Sequence, residues 1–287
     1  MNILQAIIIA IVEGLTEFLP VSSTGHMIIT QALWGMESTE FLKTYTVVIQ
    51  FGAILSVVVL YWKRFFHIND VRQLPNYESK NGFQKLLYKF DFYWKLIVTC
   101  IPGFVFGMLF NDAIDAALGS VTIVAWMLVI GGILMLFVDK WFGKVSQNQG
   151  ITTKRALLIG LSQCVAMFLP GFSRSMATIV GGMATKLTRK NAAEFSFFLA
   201  VPTMFGASLI TVLKTIKHEG TEVFLQGNNI MMLVVGNVVA FIVALIAIKF
   251  FIEYLTKYGF KVFGYYRILV GGILIVLILS GASLSMV

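Results

Sequence analysis

The sequence predicts an all-α integral membrane protein of six transmembrane helices and two re-entrant helical hairpins, its halves related as an inverted-topology repeat. Three observations carry that expectation. Hydrophobic residues make up 58% of the 287 and charged residues 13%, with a mean hydropathy of +0.85, more apolar surface than one soluble core can hide. Six apolar stretches fall near the roughly twenty residues that a helix needs to cross a bilayer core. Two shorter stretches, each broken by proline and serine, resemble one another.

The first of these is Glu13 to His26, EGLTEFLPVSSTGH, which follows only the short apolar run Ala6 to Val12 and so cannot simply span. Glu13 and Glu17 share one helix face, Pro20 ends that helix, and Ser22, Ser23 or Thr24 can cap a second one. Two half-helices meeting at a polar turn are the expected result. Carboxylates and irregular backbone at membrane depth are tolerated where they are buried in protein or line a wet cavity, which points to a functional site. A polar helix-packing seam would explain the serines but not two acids.

The chain then runs through a full-length span, Phe41 to Tyr61, into a polar segment reaching about Lys95. Trp94 to Phe110 and Val121 to Val138 form the next two spans, joined by a turn holding Asp112 and Asp115. The second broken stretch, about Lys154 to Thr185, repeats Phe18-Leu19-Pro20 as Phe168-Leu169-Pro170, with Ser173 standing for Ser22-Ser23. The likeness continues downstream, where Phe51-Gly52-Ala53 recurs as Phe205-Gly206-Ala207. Ala192 to Leu213, Ile230 to Ile252 and Tyr265 to Gly281 complete the six spans. Repeat one covers about residues 1–145 and repeat two about 150–287, with a site where the two polar turns meet.

Orientation follows from lysine and arginine placement. Of the 22 cations, eighteen fall in the 62–95, 139–155, 186–190 and 249–267 segments, and three, Lys43, Lys214 and Lys217, on the other face. The rich face is read as cytoplasmic, with both termini outside; the first hairpin then enters from outside and the second from inside. The formal charge of +8 accordingly gives no reason to expect nucleic acid. The absence of a basic segment before the first apolar run argues against a cleaved signal peptide. Cys100 and Cys164 sit in apolar stretches and offer neither a disulfide framework nor metal spacing.

Each turn opens a helix with a serine near its cap, aiming free N–H groups and the positive end of a helix dipole at one place, an anion site. Gly171 permits close backbone approach, and Arg174 adds a planar fork matched to phosphate oxygens. Glu13 and Glu17 would repel a phosphate unless a divalent cation bridges them, and Mg²⁺ suits one or two carboxylates plus substrate phosphates. Ser23 and His26, three apart, suit a nucleophile beside a proton-transfer group, with either able to attack.

EGLTEFLPVSSTGH together with PGFSRSMAT and AAEFSFFLAVPTMFGA closely resembles the bacterial undecaprenyl-diphosphate phosphatase family, also called the bacitracin-resistance family, over essentially the whole chain. The resemblance implies a multi-pass enzyme of the bacterial inner membrane that removes the terminal phosphate of undecaprenyl diphosphate, regenerating the lipid carrier for cell-wall synthesis. It puts the family's glutamate pair on Glu13 and Glu17, its serines on Ser22 and Ser23, its histidine on His26, and its arginine motif on Ser173, Arg174 and Thr178. Thr24, Gly25, Gly171 and Ser175, in the same turns, are expected to touch substrate. The expected chemistry is Mg²⁺- or Ca²⁺-assisted phosphoryl transfer, and the sequence leaves a homodimer open. A lipid-carrier flippase or transporter is the rival, since inverted repeats around a midplane site are transporter architecture. A purely structural scaffold leaves Glu13, Glu17 and Arg174 unexplained.

Overall fold

A computed structural model describes residues 1–37, 39–110 and 120–280, and all regular structure among them is helical. In chain order the helices are α1 (Ile3–Thr16), α2 (Ser23–Leu33), α3 (Glu40–Leu60), α4 (Trp62–Phe65), α5 (Gly82–Lys89), α6 (Asp91–Leu109) and α7 (Val121–Phe142). After them come α8 (Thr153–Phe168), α9 (Arg174–Ala184), α10 (Arg189–Glu219), α11 (Glu222–Leu225), α12 (Asn229–Tyr258) and α13 (Lys261–Leu279). Six of these, α3, α6, α7, α10, α12 and α13, have the length and hydropathy of membrane spans.

Boundaries differ from expectation mainly where apolar runs pass into charged ones. The C-terminal parts of α10 and α12, which reach 31 and 30 residues, hold Lys214, Lys217 and Lys257, good helix formers that extend the helix past its apolar part. The polar segment after α3 is not all loop: it carries α4, two 3₁₀ turns and α5. The expected turn at Asp112 and Asp115, and Gly281, lie outside the described residues.

The packing pairs distant parts of the chain. Helix α1 lies along α12 and α8 along α6, while α3 packs on α10 and α7 on α13. Glycine makes the first two contacts close. A Cβ on Gly14 would stand 2.8 Å from the Ala240 carbonyl oxygen, and one on Gly160 would stand 2.3 Å from that of Thr99. Small residues at such seams let backbones approach where hydrophobicity alone gives helices in lipid no reason to associate. Phe18, wholly buried, meets the Phe197 ring edge-on at 5.1 Å and anchors the first turn against α10.

One cation departs from the topology reading. Arg267, counted above with the cation-rich face, is 0% exposed and bonded to backbone carbonyls inside the bundle, so that face holds one fewer. A guanidinium with four carbonyl partners has no need to reach the interface.

Candidate active site

The two polar turns are built alike. Pro20, lacking an N–H, and Pro170 each follow the last turn of an apolar helix, and a serine then caps the next one. Ser22 caps α2 with its side chain accepting from Gly25 N at 3.3 Å, and Ser173 caps α9 by accepting from Met176 N at the same distance. Both caps have left-handed backbone, φ 74° and 80°, a conformation uncommon outside glycine that persists only when the surroundings enforce it. Gly171 provides the second turn's own left-handed residue at φ 91°, pressed so close to α7 that a Cβ would meet the Val124 carbonyl oxygen at 2.6 Å.

Between the turns lies a cavity of about 200 Å³, to which Ser22, Ser23 and Thr24 contribute from one side and Gly171, Ser173, Arg174 and Ser175 from the other. Two helix starts on one cavity make it suited to an anion. The turns are also tied directly, since Ser175 Oγ donates to the Leu19 carbonyl at 2.8 Å and shares a 3.0 Å hydrogen bond with Ser173 Oγ.

Glu17 is the junction. Ser23 Oγ donates to its Oε2 at 2.5 Å, and Arg174 Nη2 to its Oε1 at 2.9 Å. Ser23 and Arg174 are the first residues of α2 and α9, so equivalent positions of the two turns deliver a hydroxyl and a cation to one carboxylate. Arg174 is braced from behind, donating through Nη1 to the Ser196 carbonyl at 3.2 Å. Thr178, one turn on and fully buried, shares a 2.6 Å hydrogen bond with Ser196 Oγ and lies behind the cavity wall. Gly25 is buried too, under Val124.

His26 has a different setting from the one its spacing suggests. Its Nδ1 lies 2.8 Å from the Ser22 carbonyl, which only accepts, so Nδ1 carries the proton. Nε2 then accepts from the Tyr266 hydroxyl at 2.7 Å. Ser23's hydroxyl partner is therefore Glu17 and not His26, because the histidine reaches back one turn to the cap while Ser23 faces the cavity.

Glu13 is 0% exposed, and neither carboxylate oxygen has a hydrogen-bond partner among the described residues. A bare buried carboxylate costs several kcal/mol, so a proton or a cation must compensate it. One turn before Glu17, its donor set fits a hard divalent cation. No cluster of three or more His, Cys, Asp or Glu residues suited to a metal occurs among the described residues, so such an ion would have two protein carboxylates at most and would take its other ligands from phosphate and water, as Mg²⁺ commonly does.

Several residues at the site escaped the sequence reading. Gln50 of α3 and Met204 of α10 line the cavity, Tyr266 holds His26, and Arg267 holds both turns. Gln50 and Arg267 had a signal: a lone amide inside the 46–60 apolar run and a lone cation heading the 268–279 run are polar groups at membrane depth.

Fold and site together define a polytopic helical membrane protein with a polar cavity made from two helix starts and centred on a serine, a glutamate and an arginine. The chain belongs to the Bacitracin resistance protein BacA family, whose profile it matches over residues 6–273. It is 59% identical to an undecaprenyl-diphosphatase of Porphyromonas gingivalis, over 99% of this chain and all of that one. It is 52% identical to the undecaprenyl-diphosphatase of Flavobacterium johnsoniae over 96% of each chain, and 45% identical to that of Bdellovibrio bacteriovorus over the full length of both.

Proposed function

We propose that this chain hydrolyses the terminal phosphoanhydride of undecaprenyl diphosphate, giving undecaprenyl phosphate and inorganic phosphate, in line with the names of its full-length relatives. The observation that carries the chemistry is Glu17 receiving Ser23 Oγ and Arg174 Nη2 together in the cavity. In this reading Ser23 Oγ attacks the terminal phosphorus and its proton passes to Glu17. The bond to the bridging oxygen breaks, and undecaprenyl phosphate leaves with that proton, taken from Glu17, so that the carboxylate is restored. Water, activated by the same carboxylate, then releases the phosphoryl group from Ser23 as inorganic phosphate. Arg174 and the N-termini of α2 and α9 stabilise charge developing on the phosphoryl oxygens. Ser22, Thr24, Gly25, Gly171, Ser173, Ser175 and Thr178 shape or contact that oxyanion site.

Glu13 and Glu17 are the residues that would hold Mg²⁺ or Ca²⁺. A cation there supplies neutralisation of the diphosphate charge and a more electrophilic phosphorus. His26 holds the Ser22 carbonyl and so the start of α2; for His26 to be the nucleophile, its Tyr266 bond must first break and the ring must turn into the cavity.

The turns are read as re-entrant hairpins of an inverted-topology repeat. Support comes from the exchange of partners, α1 on α12 against α8 on α6, and from the paired left-handed serine caps. The cation distribution supports an inner-membrane protein with the 62–95 segment cytoplasmic and both termini outside. Phosphate release from undecaprenyl diphosphate by detergent-purified protein tests the activity. Absence of release, with lipid diphosphate instead moved across vesicle membranes, would favour a flippase.

A further inference from the structure

We propose that Arg267 is the positioning residue that holds the two polar turns in register, so that Ser23, Glu17 and Arg174 meet. The guanidinium is wholly buried, and four backbone carbonyls receive it. Nη1 donates to Pro20 O in the first turn at 3.0 Å. Nη2 donates to Gly171 O in the second turn at 2.8 Å and to Met127 O at 3.0 Å, while Nε reaches Leu128 O at 3.4 Å. One side chain thus ties both turns to a common rail, the middle of α7.

The chemistry requires arginine. A planar fork with five N–H donors can meet carbonyls in several directions at once, whereas a lysine ammonium is a point charge at the end of a flexible stem. Space is made by Gly131, where a Cβ would lie 2.3 Å from Nη2. No carboxylate pairs with this cation among the described residues. Burying such a charge is costly, and an apolar side chain would fill a helix seam at lower cost. What the arginine adds is a fixed relation between Pro20 and Gly171, the residues just before the two serine caps. If that relation slips, Ser23 and Arg174 no longer converge on Glu17, and a misplacement of about 1 Å in a catalytic array costs about a hundredfold in rate.

The catalytic half of this inference rests on the phosphatase reading; the structural half does not, and the test separates them. Arg267→Lys and Gly131→Ala are purified in detergent beside the unaltered protein. Hydrogen exchange is followed by mass spectrometry across residues 20–25, residues 171–176 and helices α3 and α12, and phosphate release from undecaprenyl diphosphate is measured per folded molecule. Gly131→Ala keeps the charge and displaces the fork, so it works even where the lysine variant fails to fold.

Exchange is expected to rise roughly tenfold at both turns together, as for loss of one charge-assisted hydrogen bond, with α3 and α12 unchanged and kcat/KM down about a hundredfold. Exchange rising at one turn alone, at neither, or uniformly through the protein overturns the proposal. So does activity per folded molecule equal to that of the parent. Failure of both variants to fold would also overturn it, by making Arg267 a general folding residue. If the unaltered protein releases no phosphate, the phosphatase reading fails while the exchange result still decides the clamp.

Discussion

The two polar turns follow one plan, with one residue between proline and cap in the first and two in the second, and they differ in what they present. Each has a proline, a left-handed serine cap with the same 3.3 Å side-chain bond, and an eleven-residue helix behind it. At the first helical position one carries Ser23 and the other Arg174. The difference teaches that the scaffold supplies two similar helix starts, while a single residue in each decides which presents a hydroxyl and which a cation to Glu17. Only the first turn brings a carboxylate, because Glu17 of one helix is Met167 at the matching place in the other.

The comparison is broken most severely at Ser23. Ser23→Ala is expected to lower turnover about 10⁴-fold or more while substrate binding persists, as removal of a nucleophile does. His26→Ala should keep more activity. An acid-labile phosphoryl group trapped on His26 in the Ser23→Ala protein would instead make the histidine the nucleophile.

Arg174→Met comes next, with an expected loss of about 10²- to 10³-fold in phosphate release. Arg174→Lys should recover only part of it, because Glu17 and the Ser196 carbonyl are reached together by a fork. Full activity in the lysine variant would reduce the arginine to a simple counter-charge.

Glu13→Gln probes the side of the comparison that has acids. Its activity should be lower and its response to added Mg²⁺ flatter, with the same flattening in Glu17→Gln. Metal titrations identical to the parent in both would remove the cation from this site.

Topology bears on whether the turns enter from opposite sides. A cysteine at Asn76 should be labelled only from the cytoplasmic side and one at Gln226 only from outside, in a background lacking Cys100 and Cys164. The reverse pattern would invert the orientation.

The smallest effect is on stability. Ser22→Ala and Ser173→Ala should each cost about 1 kcal/mol for the lost cap, the backbone strain at positive φ being common to serine and alanine. Glycine at either position should recover much of it, read as Tm in detergent. Unequal losses at the two serines would show that the turns are less alike than their bonds suggest.

Spacing and composition alone determined the helical membrane class, the number of spans and the existence of two broken helices, because each depends on local chain properties. Twenty apolar residues cannot be satisfied as backbone in lipid except as a helix, and proline followed by serine stops one helix and caps another wherever it occurs. Glu13, Glu17 and Arg174 were legible for a similar reason, since ionisable groups are too expensive at membrane depth to be incidental, and Ser23 from its place at a helix start after proline. Pairing was not legible. That Ser23 turns to Glu17 while His26 turns to Tyr266 depends on directions of side chains across a turn and on a helix 240 residues away in sequence. Arg267 makes the same point more strongly. A cation at the head of an apolar run looks like an interfacial anchor until the packing of α13 on α7, across Gly131, carries it behind both turns. Hydrogen bonds to backbone carbonyls leave no mark in the sequence of the residues that accept them, so only the tertiary structure could decide which cation reads as membrane topology and which as part of the site.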